Sequence, residues 1–220
     1  AILLIIIVFI ASCSSTKFIE PYQSIVKNVK IDSIDEQYAE EAYDYVQKDI
    51  RPASKLGVNV LIYNIFNTVD GKYKTTGIKP LGSAPPILDS TLVEISRTQI
   101  EKYLKSKGYF NAKVEAKIEV KDKKASIQFL ADPKDPYTVD TLTFSIPDSL
   151  VNALYIKERP NFSHLKTGMQ YDEDSLSYEV EQIYQMMKQN GYYDFLRLYI
   201  SFEVDSALRN KKVNLKLLID

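Results

Sequence analysis

The chain has 220 residues, 45% of them hydrophobic, enough to close one or two small cores. Its 28 Lys and Arg are interspersed with 29 Asp and Glu for a formal net charge of -1, so the basic footprint of a nucleic-acid-binding protein is missing. The 16 tyrosines, with no Trp, suit half-buried surfaces where the ring packs and the hydroxyl stays wet.

Ile2 to Ile10 is an unbroken apolar run. It is too short to cross a bilayer core of about 30 Å and has the length of a signal-peptide core. It leads into Ile10-Ala11-Ser12-Cys13, which resembles a bacterial lipobox with Cys13 as the lipid-attachment residue. A signal or membrane segment with an incidental cysteine is the plainer reading. Redox or nucleophilic chemistry would need a second Cys or a well-placed His, and Cys13 has neither in sequence. Residues 1–12 are therefore expected to be an incomplete signal peptide, and 13–23 a polar tether behind acyl chains that anchor stably. Neither a Met nor a basic segment precedes Ala1, and Asp220 directly follows a strand pattern, so the chain is expected to be cut at its start and to continue past its end.

Ile25 to Ile31 reads as a strand, Asp32-Ser33-Ile34-Asp35 as a capping region, and Tyr38, Ala42, Tyr45 or Val46, and Ile50 as one helix stopped by Arg51-Pro52. Val58 to Phe66 fits strand or short helix equally, and Gly71, Gly77, Gly82 and Pro85-Pro86 mark loops. From Asp89 a helix is predicted with a capping box at Thr91 to Glu94 and a left-handed stop at Gly108. Ala112, Val114, Ala116, Ile118 and Val120 then alternate with Lys113, Glu115, Lys117, Glu119 and Lys121, a half-buried strand that turns at Asp122-Lys123 and returns through Ala125, Ile127 and Phe129.

After a Pro-marked linker over 132–137 the order repeats. Leu142, Phe144 and Ile146 form a strand; Asp148 to Arg159 a helix ending before Pro160; Leu176, Val180, Ile183 and Met187 a second helix closing on Gly191. Leu196 to Val204 and Val213 to Ile219 form the last two strands. IEKYLKSKGYF aligns on IYQMMKQNGYY with Gly108 and Gly191 83 positions apart, whereas the first strands stand 113 apart. About 30 extra residues thus fall in the first copy, near 53–82. The expected fold class is α+β: two tandem β-α-α-β-β units over 24–134 and 136–220, each a three-stranded sheet covered by two helices.

Reactive groups are sparse. His164 lies in a loop between Pro160 and Gly168 with no ligand or base partner at useful spacing, so it reads as a surface histidine. Asp172, Glu173 and Asp174 are helix-start acids without the remaining ligands or the turn glycine of a calcium loop. Gly108 and Gly191 are helix stops, not phosphate loops, and Tyr109, Phe110, Tyr192 and Tyr193 read as packing beside them. No catalytic residue, metal or cofactor is expected.

The element order, with Gly108-Tyr109-Phe110-Asn111-Ala112, Gly191-Tyr192-Tyr193, Gly168, Tyr171 and Pro136-Tyr137-Thr138-Val139, resembles the POTRA (polypeptide-transport-associated) domain. With the lipobox in front, the chain is similar to POTRA regions of the BamA/TamA outer-membrane assembly superfamily, and to its lipoprotein form TamL. The family's β-barrel has no counterpart in these residues. The resemblance implies a lipid-anchored region on the periplasmic face of the outer membrane that binds unfolded outer-membrane proteins and a periplasm-spanning partner by β-augmentation. The alternative is a lipid-anchored scaffold without insertion activity. The family's edge strand corresponds to Asn111 to Lys121 and Leu196 to Asp205, which makes Lys113, Glu115, Lys117, Glu119, Arg197, Tyr199, Ser201 and Glu203 the candidate binding residues. The alternating charges equally fit protection against aggregation. With Ile118 inward, Pro there is expected to unfold the domain, and Lys117→Pro to reduce peptide binding more than stability.

Overall fold

The computed structural model describes residues 16, 18–52, 58–66, 68–69, 72–73, 82–207 and 210–220; Cys13, the apolar run and much of the expected insertion lie outside them. The chain forms two compact units, one holding the described residues up to Glu101 with Lys113–Asp132, the other holding Lys102–Ala112 and Pro133–Asp220. No described helix is long and apolar enough to cross a membrane.

The fold is α+β, with one three-stranded sheet in each unit. In the first, β1 (Ile25–Asp32) runs parallel to β5 (Lys124–Asp132), and β4 (Lys113–Lys121) pairs antiparallel on the other side of β5. In the second, β6 (Thr138–Ser145), β8 (Lys212–Ile219) and β7 (Ile200–Asp205) repeat that order, with β8 central. The first strands carry an irregularity at matching places, Val26/Asn28 and Val139/Thr141, which confirms the 113-residue spacing read from the apolar pattern. The returning strand is central in both units because its apolar side chains are covered throughout: Ala125, Ile127 and Phe129 in one, Val213, Leu215 and Leu217 in the other, are all buried.

Asp122 and Lys123 both take positive φ, the geometry that lets a two-residue turn follow the twist of β4 and β5. The first helix is shorter than its periodicity predicts. It covers α1 (Glu36–Tyr43), and a 3-10 turn over Lys48–Ile50 carries the remaining apolar contacts. A tertiary bond pulls the chain off the helical path, with the Gln47 N–H on Ser96 Oγ at 2.9 Å, and a local one from Arg51 Nε to the Val46 carbonyl at 2.6 Å holds the turn. The ambiguous apolar run is helix α2 (Val58–Phe66), with Val60 and Asn64, one turn apart, both buried. A two-residue hairpin, β2 (Thr68–Val69) and β3 (Lys72–Tyr73), follows it.

Helix α3 (Ser90–Ser106) starts two residues before the predicted capping box: Asp89 caps it, its Oδ1 accepting from Thr91 N at 2.7 Å and Leu92 N at 3.3 Å. Helix α4 (Ser149–Phe162) does not stop before Pro160 but carries it in its last turn. The bond Pro160 cannot make falls at the Ile156 carbonyl, on a residue open to water. Asp148 Oδ1 closes the start of α4, accepting from Leu150 N at 2.8 Å and Val151 N at 3.0 Å. Asp148→Ala should therefore cost about 1 kcal/mol of stability, read as a lower denaturation midpoint with an unchanged slope.

Candidate functional site

The strand after the Gly-Tyr-aromatic stop is one of the two outer strands of each sheet, and no described strand pairs with the far side of β4 or β7. Which backbone groups face that free edge follows from the hairpin. A two-residue turn makes Lys121 and Lys124 a hydrogen-bonded pair, and antiparallel pairing then alternates, so Lys113, Glu115, Lys117 and Glu119 bond to β5. The outward N–H and C=O groups belong to Val114, Ala116, Ile118 and Val120. Val114 shows this directly, its carbonyl accepting from Arg97 at 3.2 Å and its N–H reaching Glu101 Oε2 at 3.4 Å. Asp220 N on the Tyr199 carbonyl at 3.0 Å sets the same alternation in β7, leaving Ile200, Phe202 and Val204 outward.

Lys113, Glu115, Lys117 and Glu119 thus project from the solvent face of the sheet, and the open edge is the backbone of their neighbours. Cover also fades along each edge strand. Val114 is buried, whereas Ile118 is 38% and Val120 52% exposed; likewise Ile200 is buried and Val204 exposed. The half-buried strand predicted over 112–121 is therefore covered only at its beginning. In the second unit, Ser201 and Glu203 lie on β7, but Arg197 and Tyr199 do not: they occupy a 3-10 turn over Arg197–Tyr199, and the strand begins at Ile200. Arg197 is tied to Glu181 at 2.7 and 3.0 Å and stacks 3.7 Å over the Tyr184 ring, which turns the backbone away from the ladder. The Arg197 hydrogen bond, with a second from Gln185, lowers the Glu181 carboxyl to about 2.

Both helix stops are built alike. Gly108 and Gly191 have φ of +90° and +91°. Tyr109 N reaches the Leu104 carbonyl at 3.0 Å and Gly108 N that of Lys105 at 3.0 Å, while Tyr192 N reaches Met187 at 3.1 Å and Gly191 N Lys188 at 3.3 Å, the paired bonds of a Schellman stop. Their surroundings differ. Around Gly108 the Tyr137 N–H donates to the Gly108 carbonyl at 2.9 Å, and the Phe110 ring lies 4.9 Å from those of both Tyr137 and Tyr171. Around Gly191 a Cβ would meet nothing within 4 Å, and Tyr193 is 77% exposed.

Asp172 caps α5 (Glu173–Gln189) by accepting from Asp174 N at 3.1 Å, as its position predicts. Lys107 adds a cation to this group, 2.7 Å from Asp174 and 3.4 Å from Asp172. Burial works against its charge, but the two carboxylates outweigh it and hold the ammonium above its usual range. His164 is exposed and stacks on Tyr178 at 5.0 Å.

One polar feature escapes sequence reasoning. Glu179 is fully buried, with Tyr155 OH donating to its Oε1 at 3.0 Å and no described partner for its Oε2. Burial raises its pKa, against the opposing hydrogen bonds of Ser163 and Tyr155 and the charges of Arg159 and His164. Its place three after Leu176 and four before Ile183 is the available signal, since both neighbours belong to the covered stripe of α5.

No protein-family model and no curated protein matches the chain. Among solved structures it is similar to the POTRA3-5 region of BamA from Haemophilus influenzae, at 11% identity over 90% of this chain and 61% of that one, with a TM-score of 0.42. It is similar to BamA from Haemophilus ducreyi lacking POTRA domains 1-3, at 13% identity over 89% of this chain and 29% of that one, with a TM-score of 0.43. A third likeness is POTRA1-2 of the periplasmic domain of Omp85 from Anabaena, at 10% identity over 92% of this chain and 98% of that one, with a TM-score of 0.37. The chain thus spans 61% and 29% of the two BamA chains it resembles.

Proposed function

We propose that the chain is the periplasmic POTRA region of an outer-membrane assembly or translocation factor of the BamA/TamA superfamily, in a lipoprotein form similar to TamL and anchored through Cys13. It is a binding scaffold without catalytic residues. Its partners are unfolded outer-membrane proteins and a periplasm-spanning protein, engaged by strand addition to the sheet edges. The observation that carries this reading is the open outer strand following each Gly-Tyr-aromatic stop, present twice with the same pairing order and the same loss of cover toward its end.

The proline test changes with the observed pairing. Ile118 has its N–H on the free edge, so Ile118→Pro should leave the β5 ladder intact and weaken binding of an extended outer-membrane-protein peptide about tenfold with little change in melting temperature. Lys117→Pro removes a bond to β5 and should destabilise the unit instead. Peptide affinity unchanged in a folded Ile118→Pro protein would rule out strand addition at β4. A lipid anchor predicts membrane-fraction recovery that is lost on Cys13→Ser.

A further inference from the structure

Building on the strand-addition reading, we infer that Arg97 and Glu101 of α3 set the register at β4: they occupy the edge groups of Val114, so an incoming extended segment pairs with Ala116, Ile118 and Val120 and stops short of Val114. In an antiparallel ladder one residue of the neighbouring strand exchanges two bonds with its partner, giving an N–H and taking one. Two side chains do this at Val114. Arg97 Nη1 donates to its carbonyl at 3.2 Å, and Glu101 Oε2 accepts from its N–H at 3.4 Å. An ionised Arg only donates and an ionised Glu only accepts, so the pair matches the two edge groups in one orientation.

The clamp is held in place by its own helix. Arg97 Nη1 bonds Glu101 at 3.2 Å, Nε bonds Glu94 at 2.8 Å and Nη2 bonds Thr98 at 3.1 Å, all within one turn of α3. A segment reaching Val114 would have to break charge-assisted bonds, whereas at Ile118 and Val120 it meets open backbone beside apolar side chains that are 38% and 52% exposed. Those two residues alternate with Lys117 and Glu119 on the other face, so the segment that fits alternates apolar and polar residues in the same way. The stop belongs to the first unit. At the 83-residue spacing of the two helix stops, α5 carries Val180 and Tyr184 where α3 carries Arg97 and Glu101.

The test uses the 220-residue protein and a capped peptide of alternating valine and threonine with a lysine at each end. Amide exchange followed by NMR should show the peptide protecting the N–H groups of Ala116, Ile118 and Val120 and leaving that of Val114 unchanged. In the Arg97→Ala/Glu101→Ala double variant, Val114 should exchange faster alone, gain protection with peptide, and the peptide should bind about three- to tenfold tighter. Should that variant melt too low to titrate, Arg97→Met keeps the side-chain stem on the helix, frees the Val114 carbonyl and should still tighten the peptide about twofold. Peptide-dependent protection of Val114 in the wild type, or an affinity unchanged in the folded variants, overturns the inference and leaves strand addition standing. Absence of protection anywhere on β4 removes strand addition itself, and this register with it.

Discussion

Gly108→Ala should destabilise the second unit by about 2–5 kcal/mol, whereas Gly191→Ala at the matching stop should cost only about 1–2 kcal/mol. Both glycines sit at φ near +90°, where any Cβ crowds its own backbone, and that penalty is common to the two. At Gly108 the added carbon would also lie 2.6 Å from the Tyr171 carbonyl oxygen and 3.3 Å from Tyr171 Cβ. The carbonyl is backbone and the Cβ is fixed to it, so neither can swing aside, and Tyr171 is held in place by its N–H bond to the Tyr137 carbonyl at 2.9 Å. At Gly191 the space is open. Denaturant unfolding of the two variants checks this, and equal losses would mean that the packing around Gly108 contributes nothing beyond the helix stop.

Glu179→Gln should gain stability relative to the wild type as pH rises from about 4 to about 8, over a pH-independent offset set by its buried amide N–H groups. Burial dominates at Glu179 and raises its pKa above the ordinary 4.5, so the folded state holds the proton more tightly than the unfolded chain does. The sign follows. The contribution of this proton to stability is fully present below the unfolded pKa and is lost as pH rises through the folded one. Glutamine keeps an oxygen for Tyr155 OH and carries no charge at any pH, removing the dependence without opening a cavity. The Tyr155 hydroxyl is itself pushed up, by burial and then by Glu179, and stays protonated to donate. A wild-type-to-variant difference that is flat between about pH 4 and pH 8 would show that Glu179 does not titrate on unfolding in that range.

Much of this architecture was legible residue by residue. The turn at Asp122-Lys123, the stops at Gly108 and Gly191, and the alternation through Ile127 and Phe129 each depend on neighbours a few positions away, so local conformational preference and apolar periodicity suffice to read them. The boundary errors share a cause. Helix α1 ends early because Ser96 takes the Gln47 N–H, and Arg197 leaves the strand because Glu181 and Tyr184 hold it; those partners lie 49 and at least 13 positions away. No local pattern encodes such pairings.

The candidate site divides along the same line. The sequence by itself determined the repeated unit and its α+β character, because an amphipathic alternation and a glycine stop are written in consecutive residues, whereas the edge position of the fourth element came from the family resemblance. Only the tertiary structure decided that Arg197 and Tyr199 lie off β7 and that cover on the edge strands fades toward Ile118, Val120 and Val204. It also decided that Glu179 lies inside, and that one helix stop is covered while its twin is open. These outcomes depend on which distant segments meet, through hydrogen-bond phase, burial and shape, and two segments with the same local pattern can meet different neighbours.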